Sequence, residues 1–206
     1  MTESSGADRG HPGSRAPDVE RQVAELEGLL REHQPVDAAE AESVAGILDL
    51  LAACADPWSR AGYVPGHLTA SAVVVDGARA RNALLVFHQK LERWLQPGGH
   101  FEPGERDPAE AAAREAREET GLEVRWPPGA APRLLDVDVH VIPARRDEPE
   151  HRHFDLRFLL LAEGNPVAGE GVREARWIRR EALEGLDLDP GLLRALNKVA
   201  WADPAY

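Results

Sequence analysis

Apolar residues recur at helical spacing from residue 19 to 33, at Val19, Val23, Leu26, Leu29 and Leu30, which predicts one buried helix face. Pro35 breaks that run. Asp37 then suits the N-cap of a second helix reaching to about Cys54, with Val44, Ile47, Leu48 and Leu51 as its stripe. Two such helices predict an αα-hairpin that packs on the rest of the chain, because short helices draw their stability from tertiary burial. A loop punctuated by Pro and Gly covers residues 56–67, and the pattern then changes to strands. Val- and Ala-rich runs at 68–76 and 82–88 are joined by a turn at Gly77. Residues 133–144 alternate with period two, Leu135, Val137, Val139 and Val141 against Asp136, Asp138, His140 and Ile142. Residues 151–162 supply a hairpin partner across a charged turn at 145–150. Residues 122–126 and 175–180 read as short strands and 181–186 as a short helix. A last helix starts at Asp189-Pro190 and runs to about Trp201.

Between the second strand and the period-two strand lies the stretch on which the chain is centred, residues 98–122. It opens with Gly98-Gly99, read as a turn, and continues into a helix. Asp107 is a good N-cap, Pro108 suits the first helical position, and Gly121 suits a left-handed C-cap. On that helix Glu115, Glu118 and Glu119 stand at i, i+3 and i+4, so their carboxylates share one face. Like charges so placed repel by a few tenths of a kcal/mol per pair. A hard divalent cation, which takes oxygen ligands, would account for such a face. A solvated Glu-rich face, partly neutralised by Arg114 and Arg117, is the alternative.

Composition narrows the field. The 206 residues are 43% hydrophobic, enough for one sizeable domain with additions. The formal net charge is −12, which argues against nonspecific nucleic-acid binding. An acidic protein can still take a phosphorylated small molecule where metal ions supply positive charge locally. The single cysteine, Cys54, precludes an intramolecular disulfide, fits a reducing compartment and is expected as a buried, inert thiol. No apolar run is long enough for a membrane-spanning helix, and the polar N-terminus does not read as a secretory signal. A soluble, cytoplasmic protein is expected.

Residues 98–122 resemble the Nudix box of the Nudix hydrolases, Gly-x5-Glu-x7-Arg-Glu-(apolar)-x-Glu-Glu-x-Gly-(apolar). Gly99 is the first glycine, Glu105 the isolated glutamate, and residues 114–122 match the second half without a break. One departure is present: eight residues, not seven, separate Glu105 from Arg114. The Asp107-Pro108 cap puts the extra residue in the loop, so the helical phase of the carboxylates is kept. The resemblance covers about residues 68–186. It implies an α/β (α+β) fold, a Nudix-type α/β/α sandwich with a mixed β-sheet, to which the N-terminal helical hairpin is added. The expected organisation is a disordered tail at 1–17, the hairpin at 18–55 and a Nudix domain at 56–206.

The resemblance also implies the activity: divalent-metal-dependent hydrolysis of a diphosphate bond in a nucleoside diphosphate linked to another moiety. Glu118 and Glu119 would hold Mg²⁺ (or Mn²⁺), with Glu115 as ligand or as base towards water and the Gly99 carbonyl as a backbone ligand. Arg114, expected on the other side of the helix, would brace the loop through Glu105, and Gly121 would end the helix. Lys90 and Arg93 are candidates for phosphate contact, against an ordinary surface role. Glu170 or Glu174 is a candidate additional metal carboxylate from the late loop. The partner is a small nucleotide or diphosphate substrate, with no nucleic acid or membrane, and a homodimer is implied at family level. Two other classes compete. Isopentenyl-diphosphate isomerases share the fold but need a catalytic cysteine, and Cys54 is in the wrong segment. A noncatalytic nucleotide-binding sensor usually loses box carboxylates, and all are present here.

Two further groups stand out. Trp58 and Tyr63 are expected to pin their loop to the core rather than to stack on a base. Asp138, His140, His151, His153, Asp155 and Arg157 give the 133–162 hairpin an unusually polar face. A transition-metal site at His151 and His153 is the lesser reading there, and substrate contact or a polar sheet face the expected one.

Overall fold

The computed structural model describes residues 15–77, 80–129, 132–145 and 148–201. The expected tail lies outside the described residues as far as residue 14, and Pro17 is already helical. Parts of the loops expected at 127–132 and 145–150 also lie outside them.

Helices α1 (Pro17–Glu32) and α2 (Ala38–Ala53) form the predicted hairpin. Asp37 caps α2 by accepting from the Glu40 N–H at 2.8 Å. The apolar stripes, Val23, Leu26 and Leu30 on α1 with Ile47, Leu50 and Leu51 on α2, enter one core cluster with the sheet. Cys54 is half-buried against that cluster rather than enclosed, because it caps the end of α2.

The sheet holds β1 (Gly66–Asp76), β2 (Asn82–His88), β3 (Arg93–Leu95), β4 (Gly98–His100), β5 (Val124–Arg125), β6 (Leu134–Ile142), β7 (His151–Ala162) and β8 (Val172–Arg179). It is mixed, as expected. The central strand β1 runs parallel to β7 along its whole length, from Gly66↔Arg152 to Asp76↔Ala162, and antiparallel to β2 and β4. β6 and β7 form the predicted antiparallel hairpin, with a register shift between Leu134 and Asp136. Helix α3 (Pro108–Thr120) lies on β1, and α4 (Arg180–Leu183) and α5 (Pro190–Asn197) follow β8. The last helix stops at Asn197, short of Trp201, whose indole Nε1 donates to the Leu196 carbonyl.

Two elements differ from the sequence reading. Residues 93–95 form a strand on β2, and Gly98-Gly99, expected as a turn, are strand residues paired with Ser71 and Ala70. The polar face expected on β6 is present, and its aspartates are buried. Asp136 is fully buried and Asp138 nearly so, and Arg157, Arg194 and Lys198 meet them at 2.8–3.3 Å. Glu40 joins this lattice from α2. Burial alone would raise its pKa, but hydrogen bonds from Lys198, the Val36 N–H and His33 outweigh that and hold it at about 2. A buried charge survives only when paired and hydrogen-bonded, so this lattice locks the hairpin to the sheet and to α5.

Candidate active site

Local sequence explains why α3 presents its carboxylates. Asp107 accepts from the N–H groups of Ala109 and Glu110 at 2.9 and 3.3 Å, and Gly121 closes the helix at φ 65°. Ala109, Ala112, Ala113 and Ala116 are buried, so a face of small side chains brings the helix close to the sheet. Glu115, Glu118 and Glu119 remain along the cleft.

The glycines of β4 fit between that helix and β1. A Cβ at Gly98 would meet the Ser71 Cβ at 2.3 Å, and one at Gly99 would meet Glu115 Oε1 at 2.7 Å. Close backbone approach, not a turn, requires glycine here. The Gly98 N–H donates to Glu119 Oε2 at 3.1 Å.

Arg114 lies among the carboxylates and not on the far side of the helix. Its Nη1 donates to Glu115 Oε1 at 3.0 Å and to Glu118 Oε2 at 2.9 Å. Its Nε and Nη2 hold Glu105 at 3.2 and 2.9 Å, and Nη2 also reaches the His100 carbonyl at 2.9 Å. A guanidinium fork can serve several acceptors at once, which is how its long side chain spans from the loop to the next helical turn. The loop after Phe101 absorbs the extra residue through a turn in which the Glu105 N–H donates to the Glu102 carbonyl. Burial opposes the Glu105 charge, yet the hydrogen bond from Arg114 prevails and lowers its pKa.

The other two buried carboxylates shift the opposite way. Burial raises Glu115, with Arg114 opposing. Burial pushes Glu119 up to about 8, the Gly98 hydrogen bond only partly opposing and the charges of Glu115 and Glu118 adding to the rise. Three carboxylates with one guanidinium among them make a site short of positive charge, the donor set a hard divalent cation fits.

These groups line one cleft of about 1230 Å³. Lys90 and Arg93 line it as well. Glu170 and Glu174 do not: Glu170 is exposed, and Glu174 is half-buried and accepts from Arg176 Nε at 2.7 Å. The loop carrying Glu170 does run along the end of α3, where the Gly169 N–H donates to the Glu119 carbonyl at 3.0 Å. Trp58 is buried and pins its loop, with Arg106 over its ring at 5.2 Å.

A family model described as the NUDIX domain matches residues 65–199. The chain belongs to the NUDIX domain family. The helical hairpin precedes the matched NUDIX region, and membership implies hydrolysis of nucleoside diphosphate derivatives. Among solved structures, a NUDIX-family hydrolase from Clostridium perfringens is 26% identical, covering 64% of this chain and 95% of that chain at a TM-score of 0.47. A MutT NUDIX hydrolase from Burkholderia pseudomallei is 23% identical, with 64% and 96% covered and a TM-score of 0.49. The NUDIX domain of Shewanella oneidensis NrtR, complexed with ADP ribose, is 17% identical, with 64% and 84% covered and a TM-score of 0.47.

Sequence reasoning singles out Asp155, Arg157 and His153 but not the Thr69, Ser71, Gln96, His67 and His100 that meet them in and beside the NUDIX cleft. Asp155 accepts from Thr69 Oγ1 at 3.0 Å, Ser71 Oγ at 2.7 Å, Arg157 Nε at 3.0 Å and Gln96 Nε2 at 3.3 Å, forming a polar floor. His67 and His100 stand beside His153, with ring centroids 4.9 Å from it in both cases. The parallel pairing of β1 with β7 and the antiparallel pairing of β1 with β4 bring these residues together, and no local spacing signals either. Burial leads the lowering of the His100 pKa to about 3.

Proposed function

We propose that the protein hydrolyses a diphosphate bond in a nucleoside diphosphate linked to another moiety, using Mg²⁺ (or Mn²⁺). The observation that carries this reading is the convergence of Glu115, Glu118 and Glu119 on one wall of a cleft that Lys90 and Arg93 also line. Glu118 and Glu119 would hold the metal, with Glu115 and the Gly99 carbonyl beside them. When bound, the cation neutralises phosphate charge and lowers the pKa of water.

The chain's own residues supply the rest. Arg114 clamps Glu105 and aims Glu115 and Glu118, so the carboxylates are held before substrate arrives. Glu115 is largely buried, and its raised pKa suits a group that accepts a proton from the attacking water. Lys90 and Arg93, which line the cleft, provide positive charge for the phosphates.

The test is hydrolysis of a panel of nucleoside triphosphates, oxidised nucleotides, nucleotide sugars, dinucleoside polyphosphates and NADH, with and without Mg²⁺ or Mn²⁺. It is read as phosphate set free by a coupled pyrophosphatase from the triphosphates and by a coupled phosphatase from the terminal phosphates that cleavage exposes in the others. Metal-dependent turnover of one class is the expected result. No turnover of any compound, with nucleotide still bound, would overturn the hydrolase reading in favour of a noncatalytic sensor.

A further inference from the structure

A second group of potential metal ligands borders the NUDIX cleft, whose lining includes His153 of the group, and takes no part in the chemistry above. His151 and His153 alternate on β7 and therefore point to one face. His67 is the register partner of His153 on β1. Neighbouring residues in register share a face, so the three imidazoles converge, and their potential ligand atoms all lie within 4.8 Å of one another. His67 is 1% exposed and His151 5%, so both are withdrawn from water.

Tautomers are fixed by backbone carbonyls. Nδ1 of His67 donates to the Gly62 carbonyl at 3.0 Å, and Nδ1 of His151 donates to the Pro149 carbonyl at 2.8 Å. A carbonyl only accepts, so each neutral ring carries its proton on Nδ1 and leaves a bare lone pair on Nε2. That pattern, one ring nitrogen held by a carbonyl and the other carrying the lone pair, is the arrangement metal-bound histidines show. The Nε2 of His67 is buried and has no hydrogen-bond partner among the described residues. An unsatisfied buried acceptor is costly and needs a cause. Nε2 of His151 accepts a hydrogen bond from Nε2 of His153 at 3.3 Å, a contact that a bound ion would replace. Two nitrogens bound to one tetrahedral zinc at about 2.0–2.1 Å lie about 3.3–3.4 Å from each other.

We propose that His67, His151 and His153 form a second metal site, for a first-row transition-metal ion of the zinc class, distinct from the carboxylate face of α3. All-imidazole ligation selects Zn²⁺, Cu²⁺ or Ni²⁺ over Mg²⁺, which takes oxygen donors. Neutral imidazole is the binding form. Burial keeps His67 below its ordinary value and, with neighbouring histidines adding, pushes His153 to about 2. Three protein ligands leave a fourth position, and His100 borders the group with its ring 5.0 Å from His67. Such an ion would tie β1 to β7 at the end of the sheet, and Tyr63 would cover it, edge-on to His151 at 5.1 Å.

The test uses chelator-stripped full-length protein, titrated with Zn²⁺ by calorimetry in excess Mg²⁺, alongside the variants His153→Gln, His67→Gln and Glu118→Ala. One Zn²⁺ per chain is expected in the wild type and in Glu118→Ala, with affinity falling at least about 10–100-fold in either histidine variant. No zinc binding, or binding that disappears in Glu118→Ala and persists in His153→Gln, would overturn the proposal. Circular dichroism reports whether the histidine variants fold. If they do not, wild-type protein loaded with Co²⁺ decides. Intense visible absorption of a four-coordinate, nitrogen-bound ion supports the site, and the weak bands of a six-coordinate oxygen site contradict it. The readout is metal binding, so the outcome is independent of whether a diphosphate is hydrolysed.

Discussion

Gly99 and Glu115 are packed so closely that a methyl group on the glycine would lie 2.7 Å from a carboxylate oxygen. The smallest residue on β4 thus fixes where a largely buried box carboxylate stands. Gly99→Ala should displace Glu115 and lower kcat/KM by roughly 10²-fold, the cost of about 1 Å of misplacement at a reacting centre. Steady-state kinetics with Mg²⁺, set beside a thermal melt to verify folding, measures this. Activity within about twofold of wild type would show that the contact does not position the site.

Burial pushes Glu119 up to about 8 in the metal-free protein. Its folded value exceeds its ordinary value of 4.5, so the stability this proton contributes is fully present below the unfolded value. That stability is lost as pH rises through about 8. A cation that takes the proton's place removes this loss. The metal-free Tm should therefore fall between about pH 5 and about pH 8, and the rise in Tm on adding Mg²⁺ should be larger at the higher pH. Scanning calorimetry with and without Mg²⁺ at the two pH values checks both slopes.

Much of this architecture is legible in the chain, and what is not has a physical reason. The stripes of α1 and α2, the Asp107 and Gly121 caps of α3 and the period-two run of β6 are local patterns, and each appears where the residues indicate. Gly98 and Gly99 misled because glycine signals a turn and a close approach alike, and only the neighbours on β1 and α3 distinguish them. Arg114 was expected on the other side of its helix. The backbone phase alone does not show that a long guanidinium folds back over Glu115 and Glu118. The burial of Asp136 and the meeting of His67 with His153 depend on contacts distant in sequence. No window of the chain contains them.

Glu40 is enclosed by Lys198, His33 and the Val36 N–H, and its folded pKa of about 2 lies below its ordinary value of 4.5. A depressed pKa contributes stability that is present above the unfolded value and lost as pH falls through the folded one. Glu40→Gln removes one partner of a buried ion pair and should destabilise the fold by about 3–5 kcal/mol near neutral pH. It should also flatten the loss of stability between about pH 4.5 and pH 2. Urea unfolding across that range measures both. An unchanged slope would mean that the hairpin is not locked to the sheet by this carboxylate.

Glu118 is the most exposed of the box carboxylates, with 55% of its side chain open to solvent, and Arg114 is its partner. Removing it should cost the fold little, because exposed ion pairs contribute about 0–1 kcal/mol. It therefore separates function from stability better than any other box position. The decisive measurement is Mg²⁺-dependent hydrolysis by wild type and Glu118→Ala, read by coupled phosphate release, on whichever diphosphate substrate the panel identifies. Loss of turnover by about 10²–10³-fold with an unchanged Tm is the predicted result, the scale expected when a group held for the transition state is removed. Turnover that survives in Glu118→Ala would contradict the assignment of hydrolysis to this face of α3.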